Sequence, residues 1–130
     1  MNYTAKEVLQ FVEENDVKFI RLAFCDIFGR LKNISILAPE LPRAFEHGIS
    51  FDASAIRGFM NVEDSDLFLF PDPGTLVVLP WRPQQGRVAR FFCDIRYPDG
   101  SPFEGDGRHL LMQTVHMAEE MGYQCKIGPE

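Results

Sequence analysis

The sequence predicts an α+β roll, a mixed or antiparallel sheet with a helix crossing it, and three observations carry that expectation. Stretches rich in β-forming residues recur at 17–26, 31–37, 66–70, 75–81 and 87–97, each bounded by turn residues. The first two are joined only by the short Phe28-Gly29-Arg30 turn, which makes them an antiparallel hairpin. Helical patterns are few, and they stand before, between and after the strands rather than alternating regularly with them.

Taken in order, Thr4-Ala5-Lys6-Glu7 is a capping box, in which the Thr4 hydroxyl accepts an early helical N–H and Glu7 reaches back to the cap. Val8, Leu9, Phe11 and Val12 then share one helical face, and Glu13 to Asp16 end the element. After the hairpin, residues 39–47 form a short helix with Pro39 near its start and Gly48 as its stop. Residues 51–70 read as a long acidic connector carrying Asp52, Glu63, Asp64 and Asp66, closing on a short strand at 66–70. So long a connector inside a compact domain is uncommon unless it is functional. Pro71-Asp72-Pro73-Gly74 is a strong turn. Residues 75–81 form a strand ended by Pro80, and 87–97 form a central strand with apolar residues on both faces. Asp106 caps a last helix over 108–121, stopped by Gly122, and residues 123–127 begin a further strand. Hairpin, crossing helix and further strands make this a roll of the β-grasp type.

The bulk properties narrow the function. A 130-residue chain that is 45% hydrophobic has the material for one core. A net charge of −6 leaves no basic stripe to neutralise phosphates, which argues against nucleic acid as the main partner. No run of apolar residues is long enough to span a membrane, and the N-terminus lacks a signal pattern, so a soluble, cytoplasmic protein is expected. Cys25, Cys93 and Cys125 are scattered and odd in number, which suits buried, reduced thiols better than disulfides or a zinc site.

No self-sufficient catalytic set is visible. Glu63-Asp64-Ser65-Asp66 lacks the alternating oxygen ligands and final Glu of a calcium loop, so a solvated acidic loop is the default. His47, His109 and His116 have no metal-ligand spacing, and there is no phosphate-binding glycine loop. Trp81-Arg82 serves either as a surface anchor or as core packing. Asp52 differs from the other carboxylates: it sits between Phe51 and a run of small residues, where it can be presented to a ligand or a neighbouring subunit. A lone carboxylate can hold an ammonium ion or act as a base, and by itself specifies neither.

Several segments, in order along the chain, resemble the motifs of one known family. Phe51 to Phe59, FDASAIRGF, is similar to the family's FDGSSIxGF loop, and Asp64-Ser65-Asp66-Leu67 to its ESDM. Pro71-Asp72-Pro73 with Thr75, and then Leu79 to Pro83, resemble PDPxT and PWRP. Cys93-Asp94 with Pro98-Asp99-Gly100 resembles CDIxxPDG, and Gly128-Pro129-Glu130 the start of GPExEF. Asp26, Gly29 and Lys32 fit the family's D-x-x-G-x-x-K hairpin. Together these segments resemble bacterial-type glutamine synthetase, with two differences: the family's Gly after Asp52 is Ala53 here, and its second Ser is Ala55.

The resemblance implies an N-terminal β-grasp domain at 1–104, followed at 105–130 by the opening helix and strand of a catalytic domain whose remainder lies beyond Glu130. It implies an enzyme that makes glutamine from glutamate, ammonium and ATP with Mg²⁺ or Mn²⁺, assembled in homo-oligomeric rings. The loop matching residues 51–66 would close the neighbouring subunit's active site, with Asp52 binding and deprotonating ammonium, Asp66 helping to position it, and Glu130 a metal ligand. The 130-residue chain alone is then expected to bind no cofactor and to be inactive, its partners being its own catalytic domain and neighbouring subunits. A stand-alone, non-catalytic β-grasp interaction or regulatory module is the alternative. The 108–121 helix is expected to fold back on the sheet or pair with another chain, and the 51–70 loop to be the most mobile internal segment.

Overall fold

The computed structural model describes residues 3–59 and 66–130. Helix α1 spans Ala5–Glu14, and its capping box forms: the Thr4 amide donates to Glu7 Oε2 at 2.7 Å and the Glu7 amide donates to Thr4 Oγ1 at 3.3 Å. Strands β1 (Val17–Cys25) and β2 (Leu31–Leu37) pair antiparallel, with Phe24 opposite Lys32. A single 3₁₀ turn, Ala38–Glu40, leads into helix α2, Leu41–His47, in which Arg43 only pairs with Glu40 at the surface. Strand β3 is Ile49–Asp52, β4 Asp66–Pro71, β5 Val77–Val78 and β6 Arg87–Arg96, and helix α3 is Gly107–Glu120.

The sheet order is β2-β1-β6-β4-β3, with β5 paired to β6 beside this path. β6 runs parallel to β1 and antiparallel to β4 and β5, so it is the central strand of a mixed sheet, as its two-faced apolar pattern predicts. The core lies between the sheet and the two short helices. Val8 and Val12 of α1 and Leu41 and Ala44 of α2 join Ile20, Leu22, Leu67, Leu69, Phe91 and Ile95 in one buried cluster. Phe45 of α2 meets Phe91 edge-on with ring centroids 5.8 Å apart. Gly48 turns α2 into β3 at φ 70°, where a side chain would press on the Phe70 ring, so only glycine combines that turn with that approach.

Three expectations are corrected and a fourth is narrowed. Residues 51–70 are not one long connector, because their start is built into β3, which pairs with β4 from Ile49 opposite Leu69 to Asp52 opposite Asp66. Four residues with only Ile49 and Phe51 alternating give too short a pattern to stand out in sequence. The strand read at 75–81 shrinks to Val77–Val78, since Thr75 is used in the Pro73–Thr75 turn and Pro80 cannot donate to a ladder. Residues 123–127 form no strand and are exposed, having no partner among the described residues to complete a ladder. Helix α3 starts at its Asp106 cap and touches the sheet through its root, while most of its apolar face stays open, which leaves pairing with another chain of the two expected arrangements. Leu110, Leu111, Met112, Met117 and Met121 are all at least half exposed. The remainder of the acidic segment, residues 60–65, lies outside the described residues, and so does the expectation about its motion.

Candidate functional site

A string of aromatic rings sets the base on which Asp52 is presented. Phe51 is buried, its ring centroid 5.1 Å from that of Phe24, which in turn lies 6.3 Å from Phe59. Phe59 meets Phe103 at 5.3 Å, and Phe103 meets Tyr97 at 5.6 Å. The two phenylalanines that bracket residues 52–58 are therefore both anchored in the core, and the segment between them is held to the β1–β2 hairpin. Burying aromatic side chains of this size contributes several kcal/mol across such a string, about 1.5–3 for each.

Strand alternation then turns Asp52 outward, opposite in sense to buried Phe51. Its Oδ1 accepts from the Ser54 amide at 3.0 Å and from the Ser54 hydroxyl at 2.6 Å, capping the single 3₁₀ turn Ala53–Ala55. Ala53 is fully buried and lies in that turn without a positive φ, so alanine fits where glycine's freedom is not needed. Ala55 is exposed. Asp66 begins β4 directly opposite Asp52, and both are exposed. The structure thus brings together the two carboxylates that the sequence placed 14 residues apart. Two exposed carboxylates at one end of a strand pair make an anionic corner suited to a cation.

Glu130 is not part of this corner. It stands in the exposed terminal stretch beyond α3, and among the described residues no group of three or more His, Cys, Asp or Glu side chains could hold a metal ion. A divalent cation needs several oxygen ligands, so the described residues do not make a site that fits one. His47 and His116 are likewise at the surface, His47 3.6 Å from Glu46 and His116 3.3 Å from Glu120, while His109 is half-buried. Trp81 is 73% exposed, which leaves the surface reading and removes core packing. Of the three cysteines only Cys93 is buried, and burial pushes its thiol well above the usual range. Cys25 and Cys125 are exposed, against expectation. Cys25 ends its strand on the outward side, and Cys125 lies in the exposed terminal stretch.

Two features escaped the sequence reading. The first is a clamp at the root of α3. Arg108 Nη1 donates to Asp94 at 2.5 Å and Nη2 to Asp72 at 2.6 Å, joining α3 to β6 and to the turn after β4. Burial alone would lower the Arg108 pKa, but the Asp72 and Asp94 carboxylates outweigh it and hold the guanidinium above its ordinary value. Asp106 adds to the joint: Oδ1 accepts from the Arg108 amide and buried Oδ2 from the Ile95 amide. The partners lie 14 and 36 residues apart, with no local pattern to betray them. The second is a pocket beside the Asp52 turn, lined by Asp26, Phe28, Arg30, Lys32, Ala55 and Arg57. Its cations come from two separate stretches, and only the packing of one on the other brings them together.

Comparison with known proteins places this geometry. A family model for the glutamine synthetase β-grasp domain matches residues 16–98, which contain β1 to β6 and Asp52. The glutamine synthetase of Clostridium saccharobutylicum is 50% identical over 128 residues, covering 98% of this chain and 29% of that protein. That of Methanosarcina mazei is 48% identical over 127 residues, covering 98% of this chain and 28% of the relative. The chain therefore spans under a third of the length of these curated relatives. Among solved structures, the glutamine synthetase of Plasmodium falciparum superposes with a TM-score of 0.82 over 92% of this chain and 23% of its own, at 23% identity, a likeness of fold. With the family model covering more than half of its residues, the chain belongs to the glutamine synthetase family and carries that family's β-grasp domain.

Proposed function

We propose that this chain is the N-terminal domain of a glutamine synthetase, a ligase that joins ammonia to glutamate at the expense of ATP through a γ-glutamyl phosphate. In this reading residues 1–104 are the β-grasp domain, and residues 105–130 open the catalytic domain, with α3 as its first helix. The longer protein is cytoplasmic and assembles as a homo-oligomer. Glutamate, ATP and Mg²⁺ or Mn²⁺ bind chiefly to parts of it beyond this chain. Glu130 joins the metal ligands only once the rest of the catalytic domain surrounds it.

The observation that carries the reading is the family match over residues 16–98, with Asp52 exposed inside it at the end of β3. This chain's own contribution is Asp52 at the neighbouring subunit's active site, where a carboxylate favours ammonium electrostatically and can accept its proton. Ser54 orients the carboxylate through two hydrogen bonds to one oxygen. Asp66, directly opposite, adds negative charge beside it and favours the same cation.

Two measurements test this. The reading frame of the gene should continue past codon 130 into a long catalytic domain, and a stop codon there would favour a stand-alone interaction module instead. The purified 130-residue chain, given ATP, glutamate, ammonium and Mg²⁺, should form no glutamine. Glutamine formation by the chain alone would overturn the assignment of the catalytic machinery to the longer protein.

A further inference from the structure

We infer that Arg30, Lys32 and Arg57 form an anion site, beside the Asp52 turn, for a phosphate-sized anion. The pocket they line has a volume of about 210 Å³. That is below the roughly 300 Å³ at which pockets for drug-sized ligands begin, and it suits a small ion with its bridging waters.

The cations are gathered by packing that serves no evident purpose of their own. Asp26 is buried, and its Oδ1 accepts from the Phe28 and Arg30 amides at 2.9 Å each, which fixes the tip of the β1–β2 hairpin. Gly58, at φ 87°, lets residues 52–58 close directly on Ile27 of that tip, where any side chain would collide. The closure lays the Arg57 guanidinium over the Phe28 ring, 5.5 Å from its centroid. Lys32, half-buried, comes up from β2 opposite Phe24. Three cations therefore face one pocket, and among the described residues none of them forms an ion pair. The carboxylate in the same pocket, Asp26, has its Oδ1 committed to two backbone donors.

Like charges held together repel, and an anion in the pocket converts that repulsion into attraction. The two guanidiniums supply planar donors suited to an oxyanion, and Lys32 supplies a point charge. Ala55 borders both this pocket and the turn that Asp52 caps, so the anionic corner and the cationic pocket adjoin on one surface. The site stands on this geometry whether or not the ligase reading holds.

Inorganic phosphate titrated into the isotope-labelled 130-residue chain, at constant ionic strength balanced with sodium chloride, tests the site. Saturable amide shifts are expected at residues 28–32 and 55–58. Arg57→Gln and Lys32→Gln should each weaken binding roughly tenfold, as expected for loss of one charge-assisted contact. Ala55→Glu, at an exposed position, should abolish binding by placing a carboxylate in the pocket. Lys18→Gln, remote from it, should change nothing. Melting curves establish that each variant is folded, and Ala55→Glu provides the test if an Arg57 variant is not. Non-saturating shifts, shifts reproduced by chloride alone, or binding indifferent to Arg57→Gln, Lys32→Gln and Ala55→Glu would overturn the site. The readout is binding rather than glutamine formation, so its failure and failure of the ligase reading are separable.

Discussion

Asp52 and Asp66 face each other across the β3–β4 ladder as its final pair, two carboxylates at one end of a strand pair. Like charges directly opposite on neighbouring strands destabilise. Asp66→Asn should therefore raise stability in urea unfolding by about 0.2–1 kcal/mol, a gain that shrinks at high salt. Asp52→Ala should lower it by about 1 kcal/mol, because the Ser54 amide loses its cap. Equal effects of the same sign would mean that the pairing carries no electrostatic tension.

The Arg108 clamp makes a second prediction. Its three side chains are 26–38% exposed, between the surface pairs worth about 0–1 kcal/mol and the buried pairs whose breakage costs about 3–5. Arg108→Ala should cost about 2 kcal/mol in the urea midpoint at unchanged slope. Arg108→Lys should recover less than half, since an ammonium lacks the fork that reaches Asp72 and Asp94 together. Full recovery by lysine would reduce the clamp to simple charge.

Tyr97 and Glu104 give the pH prediction. The Tyr97 hydroxyl donates to Glu104 Oε2 at 2.7 Å, and that bond holds the Glu104 carboxyl below its usual range. The same bond, aided by burial and by the nearby carboxylates, pushes the phenol up to about 12. A depressed carboxylate contributes stability above its unfolded pKa and loses it as pH falls through the folded one. A raised phenol contributes below its unfolded value and loses it as pH rises through about 12. The bond should therefore support a plateau from about pH 5 to pH 10, falling off at both ends. Spectrophotometric titration should find one tyrosinate forming near pH 12, absent in Tyr97→Phe.

Thiol labelling checks the burial pattern directly. Under native conditions Cys25 and Cys125 should react, and Cys93 should react only after unfolding. A single reactive thiol in the native chain would place Cys25 or Cys125 under cover that the structure does not contain.

Much of the scaffold was legible because its signals are local. The Thr4–Glu7 box, the hairpin around Gly29, the Gly48 stop and the Asp106 cap each depend on residues within a few positions, and each forms. What was illegible depends on partners. β3 is too short to announce itself and exists because β4 pairs with it. A strand at 123–127 has the right residues and no neighbour. The apolar face of α3 shows the same dependence: amphipathicity says that a helix wants cover, and not which surface supplies it. At the candidate site, the proposal for Asp52 rests on motif resemblance, and the structure adds that it lies exposed opposite Asp66. The basic pocket was not legible, since Arg57 joins Arg30 and Lys32 only through the closure of Gly58 on Ile27.

The central claim is that Asp52 serves ammonium. Its most direct test is steady-state kinetics of the longer protein to which this chain is assigned, comparing the parent with Asp52→Asn. A fall in kcat/KM for ammonium of about 10²–10⁴, the range of a lost general base, is expected, with the KM values for ATP and glutamate little changed. An Asp52→Asn enzyme with unaltered kcat/KM for ammonium would contradict it.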